Sequence, residues 1–369
     1  MDREKNWELP DPFGKEDGSR IGSKEEWEEQ KQYFKRMLEE QFYGKMPPKP
    51  EEVKEEKRET TVIQEGQVFY EKVRLVTGVN DGVKFTVHVY RPGTEGKKIC
   101  VVIPAGDRLD KDLIQMAIAQ DIVVASYEIK EAAPDDREKW NCGGCGKTYP
   151  EYTWRALAMW AWLASRVIDW LENQDFADTQ KFVVTGHSRM GKMAVCCGIY
   201  DDRVAITAPA GSGCGSRLGE GIGRAERIGV MLGKENFYYW LLDSVAEYGT
   251  ADGLTRYREN ELPFDANILG ACIAPRGLIL MEGLDDNWIN PYGTQTAWLA
   301  VAEVYRFLGI PDKCGIHYRE GGHEYNREDW SVMLDFCQTV LNGQPKKTNY
   351  KIMQEDTIKS GYSWTIPSL

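Results

Sequence analysis

Ser188 stands in Gly186-His-Ser-Arg-Met-Gly191, directly after the apolar β-branched run Phe182–Thr185 and before a helical stretch, Lys192–Tyr200. A strand that delivers a serine to a sharp turn leaves its hydroxyl at the strand's carboxyl end. Small residues permit the strained backbone there, and the N–H groups of the following helix lie near a developing oxyanion. The second glycine comes one residue later than in the G-x-S-x-G elbow, but the same logic applies. The ordinary alternative is a turn serine that caps the next helix. An acid and a histidine that follow in the order Ser, Asp or Glu, His would separate the two readings.

The chain has four histidines, which makes that test sharp. His88 lies in an early alternating strand, His187 sits beside the serine and is expected to point elsewhere on the turn, and His317 is inside the apolar run Gly315–Tyr318. His323 follows that run in Gly321-Gly-His-Glu324, a loop just before a helix that begins near Glu328. That position makes His323 the expected general base, with Nε2 taking the Ser188 proton. For the acid, Leu278–Met281 reads as a strand and Glu282-Gly-Leu-Asp-Asp-Asn-Trp288 as its exit loop. Asp285 or Asp286 therefore reaches His323 Nδ1, with Glu282 a third carboxylate nearby. Cys142-Gly-Gly-Cys145 has a metal or redox spacing, but no second pair supplies further ligands, so no metal site is expected.

These groups need a scaffold whose strands end together. Continuous apolar runs at Ile99–Pro104, Ile122–Ser126, Phe182–Thr185, Ala205–Ala208, Gly277–Met281 and Gly315–Tyr318 alternate with helical periods, which predicts parallel strands covered on both faces. Tyr152–Asn173 is apolar almost all round and predicts a buried helix. Earlier, Ser23-Lys-Glu-Glu26 opens a helix that stops at Gly44, and a charged connector (Glu51–Glu59) leads into alternating strands at Thr60–Gln64, Val68–Val76 and Val83–Tyr90. The expected organisation is an irregular arm over residues 1–22 and a single α/β domain over 23–369. A long insertion at about 211–262 forms a substrate wall.

A net charge of −12 argues against nucleic acid and acidic membranes as partners. No apolar run reaches the roughly 20 residues of a membrane helix, and the first residues lack a signal-peptide core. Nine cysteines, mostly in apolar segments, favour reduced thiols. The sequence as given thus points to the cytoplasm, or to secretion if a leader was removed.

Five blocks in order carry a resemblance. They are Trp27 with Phe42-Tyr-Gly-Lys-Met-Pro47, Val184-Thr-Gly-His-Ser-Arg-Met-Gly-Lys192, Leu262-Pro-Phe-Asp-Ala-Asn-Ile-Leu-Gly-Ala-Cys-Ile-Ala-Pro-Arg-Gly-Leu278, Asp286-Asn-Trp-Ile-Asn-Pro291, and Gly322-His323 with Asp329-Trp330. Together they resemble the glucuronoyl esterases, carbohydrate esterase family fifteen, over nearly the whole chain. The resemblance implies an α/β-hydrolase fold: a mostly parallel central sheet, antiparallel amino-terminal strands and helices on both faces. It implies hydrolysis of esters between glucuronic acid of xylan side chains and lignin-type alcohols, with glucuronate-decorated xylan or its oligosaccharide esters as partner and no cofactor. It also implies that Arg189 stabilises the oxyanion through its N–H and guanidinium, and that Lys192, Glu235 and Trp288 contact sugar hydroxyls.

Two departures follow from the same resemblance. Many members carry the acid at the position that is Gly211 here, which moves the expectation to Asp286. Fungal members bridge two cysteines at places held here by His187 and Glu324, so that bridge cannot form. An acetyl xylan esterase using the same triad, and a carbohydrate-binding relative without catalysis, are the rival readings.

Overall fold

Strands with both faces covered need continuous apolar sequence, and such runs form the centre of the sheet. The computed structural model describes residues 8–63, 68–212, 237–248, 262–351 and 361–368. Its strands are β1 (Val53–Ile63), β2 (Val68–Thr77), β3 (Val83–Pro92), β4 (Lys98–Ile103), β5 (Val123–Tyr127), β6 (Ala177–His187), β7 (Val204–Ala210), β8 (Gly277–Gly283) and β9 (Cys314–Arg319). They form one sheet in the order β1-β2-β3-β5-β4-β6-β7-β8-β9. Pairings from β1 through β3 to β5 are antiparallel, and those from β5 onward through β4 and β6 to β9 are parallel.

Alternate side chains of each central strand enter two separate cores. Val102, Val184, Leu278 and Leu280 face one layer of helices: α1 (Lys24–Leu38), α4 (Ala156–Leu171), α5 (Arg189–Tyr200), α6 (Ala266–Ala271) and α7 (Pro291–Phe307). Val101, Val183, Ile279 and Met281 face the other, made by α2 (Lys111–Ile118) and α8 (Arg327–Asn342). A short α3 (Gly144–Thr148) lies before α4 and buries Cys145, whose thiol is pushed up by that burial and is no nucleophile. Of the residues in α4 only Ser165 escapes full burial, as its all-round apolar sequence requires.

The charged stretch read as a connector is instead most of β1. It pairs with β2 along its whole length, yet beyond its first residue every position is exposed. An edge strand with neither face covered carries no apolar alternation, so periodicity could not reveal it. Its charges also discourage pairing with other strand edges.

Two irregular stretches are held by packing, residues 8–22 of the amino-terminal arm and residues 237–248 of the insertion, most of which lies outside the described residues. In the amino-terminal arm Phe13 is buried against Phe307 and Trp364, with ring centroids at 5.2 and 5.8 Å. Within the insertion, the carbonyls of Tyr239 and Trp240 accept from Ala156 N and Leu157 N at 3.1 and 3.4 Å. These bonds satisfy the first N–H groups of α4, which have no acceptor inside the helix. Among the described residues no helix is long and apolar enough to cross a membrane.

Candidate active site

The elbow forms where β6 runs into α5. Ser188 heads the helix with φ 57° and ψ −123°, and its side chain makes no capping bond to it. The turn-serine alternative requires such a bond. Gly186 is required by close approach, because a Cβ there would stand 2.4 Å from the Met190 carbonyl oxygen. Arg189 is the first residue of α5, so its N–H is among those the helix leaves free.

The Ser188 hydroxyl instead lies 2.9 Å from His323 Nε2, and His323 Nδ1 lies 2.6 Å from Asp286 Oδ2. A carboxylate at Nδ1 puts the imidazole proton there and leaves Nε2 to accept from the serine. The structure thus separates the three carboxylates of the exit loop. Asp286 is only 2% exposed and faces the imidazole, and its Oδ1 accepts from Trp288 N at 3.3 Å. Asp285 is exposed, and Glu282 is buried against the Thr294 hydroxyl at 3.3 Å.

Backbone bonds stitch the acid loop to the base loop. Leu284 N donates to Arg319 O and Asp285 N to Gly321 O, both at 2.9 Å. The approach is so close that a Cβ on Gly283 would meet the Gly322 carbonyl oxygen at 2.4 Å. Arg319, at the end of β9, closes the base loop from beneath. Its guanidinium donates to the carbonyls of Glu320, Gly322 and Glu324 at 3.0, 3.2 and 2.6 Å, and to Asp329 Oδ2 at 2.9 Å. Sequence reasoning missed Arg319. The available signal was a cation ending an otherwise apolar strand just before Gly-Gly-His.

His187 also departs from expectation. Its ring does not point away but lies against His323, with centroids 4.5 Å apart. The space it fills borders Gly211, where a Cβ would stand 3.0 Å from His187 Nε2 and 3.6 Å from His323 Nδ1. Position 211 therefore does face the base, but this chain occupies that space with a ring from the neighbouring strand.

The remaining site residues divide. The Arg189 guanidinium is held by Asp135 at 2.7 Å and lies over the Phe237 and Trp240 rings. Tyr239 also donates to Asp135, at 2.6 Å, which makes Asp135 an anchor that the sequence did not single out. Lys192 is buried rather than solvated, with Nζ donating to the Ser212 carbonyl. Trp288 is 47% exposed, two residues after Asp286. Glu235 lies outside the described residues.

Burial pushes the Glu282 carboxyl well above the usual carboxylate range, and the nearby Asp286 charge adds to this. The protonated form is therefore the one the fold favours. A raised carboxyl contributes stability that is present below its unfolded value and is lost as pH rises through the folded one. Glu282→Gln, which imitates the protonated acid, is expected to match the wild-type thermal midpoint below the ordinary carboxyl value of 4.5 and to lose less as pH rises from there to the alkaline side. Thermal unfolding across pH checks this; equal alkaline losses in both proteins would count against a protonated Glu282.

The model of the family described as "Glucuronyl esterase, fungi" matches residues 75–309. The chain belongs to this family. A glucuronyl esterase relative from Schizophyllum commune, a 4-O-methyl-glucuronoyl methylesterase, is 28% identical over 98% of the chain and 88% of its own length. Among solved structures, a glucuronoyl esterase of carbohydrate esterase family fifteen from Caldicellulosiruptor kristjansonii superposes with a TM-score of 0.80 at 24% identity, covering 99% of each chain. A glucuronoyl esterase mutant from Sporotrichum thermophile, solved with methyl 4-O-methyl-β-D-glucopyranuronate, superposes with a TM-score of 0.74 at 20% identity, covering 95% and 92%. These likenesses carry the α/β-hydrolase fold across the whole sheet.

Proposed function

We propose that the protein hydrolyses esters of the glucuronic acid carboxyl group by serine acyl transfer, and that its natural substrate is (4-O-methyl-)glucuronate on xylan side chains joined to lignin-type alcohols. The observation that carries the reading is the hydrogen-bonded line from Ser188 through His323 to buried Asp286 at the carboxyl edge of the sheet. Family membership supplies the substrate class, and the Schizophyllum commune relative is named for methyl esters of that acid.

In the first step Ser188 Oγ attacks the ester carbonyl while His323 Nε2 takes its proton, and Asp286 stabilises the imidazolium that forms. The carbonyl oxygen becomes an oxyanion held by the Arg189 N–H at the head of α5. His323 then gives the proton to the departing alcohol, leaving glucuronate esterified to Ser188. Water attacks that acyl-enzyme with His323 again as base, releasing the uronic acid and restoring the serine. The Arg189 guanidinium, ion-paired with Asp135 and lying over two rings, and the buried Lys192 ammonium are both carried on α5, the helix that follows the nucleophile. Such charge suits a substrate whose product is an anion.

The test is relative turnover of a benzyl glucuronate ester and an acetylated xylan by the purified protein. A glucuronate ester should be preferred in kcat/KM by about 100-fold or more, because the site must read the acid rather than the alcohol of the sugar. Equal rates, or faster release of acetate, would make the protein a deacetylase. Binding of either glycan with no turnover and no labelling of Ser188 by a phosphonate would make it a binding protein.

A further inference from the structure

A row of four rings ends on the general base. Trp330 in α8 lies 5.9 Å from Tyr325, Tyr325 lies 6.1 Å from His187 with planes 17° apart, and His187 lies 4.5 Å from His323. The far end is fixed, since Trp330 is fully buried and the Tyr325 hydroxyl sits 2.6 Å from Thr185 Oγ1 on β6. His323 is the one member carried on a glycine loop.

The two hydrogen bonds of His323 both lie along its ring edge. They set rotation within the ring plane but resist tilting out of it only weakly, so a face contact is needed to hold the plane. His187 supplies an out-of-plane packing contact, its ring centred 4.5 Å from the imidazole and inclined 44° to it. Its Nε2 is buried with no hydrogen-bond partner among the described residues, so hydrogen bonding there does not account for the ring's placement. The charged groups facing it are His323, Asp286, Arg319 and Lys192. Burial first, then the neighbouring His323, pushes the His187 ring down to about 4. A ring that stays neutral can border an imidazolium without adding a second cation.

We propose that His187 is a positioning residue: its ring, set between Tyr325 and His323 and inclined 44° to the imidazole, blocks that imidazole from tilting out of the plane that joins Ser188 Oγ to Asp286 Oδ2. This rests on the acyl-transfer reading above.

The experiment compares His187→Ala, His187→Asn and His187→Phe by kcat, KM and thermal midpoint on a benzyl glucuronate ester. Loss of the ring in the Ala and Asn variants should lower kcat by about 100-fold with KM within about threefold, since small misplacements of a reacting group have effects of that order. Phe restores the flat face and should bring kcat back to within about fivefold of wild type. A role confined to folding would move the thermal midpoint and leave the kcat of the folded enzyme alone, which overturns the proposal. Phe as slow as Asn overturns it too, because the nitrogen and not the face would then matter; this pair decides if the Ala variant does not fold. Ser188→Ala, run alongside, keeps the two readings apart. Turnover surviving in Ser188→Ala counts against acyl transfer itself, whereas an inert Ser188→Ala with undiminished His187→Asn counts against His187 alone.

Discussion

Ser188→Ala is expected to lower turnover of a glucuronate ester by at least about 10⁴-fold, the order seen when a triad nucleophile is removed. The fold should survive. The Ser188 side chain makes no capping bond to α5, and its backbone N–H, donated to Ala210 O at 2.9 Å, is kept by alanine. The change therefore removes one oxygen from the site without disturbing the elbow. Steady-state rates with a parallel thermal scan check this. A folded variant within about tenfold of wild type would remove Ser188 as nucleophile.

The second large effect concerns the acid. Asp286→Asn should lower kcat by about 10⁴-fold, because an amide facing His323 Nδ1 favours the tautomer whose Nε2 carries the proton and cannot accept one from the serine. The side chain keeps its size, so packing around this buried position changes little. Asp285→Asn, one residue away and exposed, should leave kcat nearly unchanged. Assaying the pair on one substrate separates the two candidates left open by the sequence. Equal losses in both, or a fast Asp286→Asn, would sink Asp286 as the orienting acid.

That adjacent pair illustrates how far sequence reasoning reaches. The apolar runs that became β4 to β9 were legible because burial on both faces demands continuous apolar residues. The order Ser188, exit-loop acid, His323 was legible because strand ends and glycine loops mark their own positions. Choosing Asp286 over Asp285 depends on which carboxylate turns inward, a property of the loop's path. The direction of His187 depends on the elbow, and β1 was hidden because its exposed faces carry no pattern. Arg319 escaped notice because its bonds go to backbone carbonyls, whose positions no residue type announces.

The stitching at Gly283 has a consequence for how alignment is achieved. With Leu284 and Asp285 bonded to Arg319 and Gly321, and no room for a side chain between the loops, the spacing between acid and base is a backbone property. Asp286 and His323 behave as one preassembled part, and their orientational entropy is surrendered during folding rather than at each turnover. The serine, on its separate elbow, meets that part through one hydrogen bond, 2.9 Å from its hydroxyl to His323 Nε2.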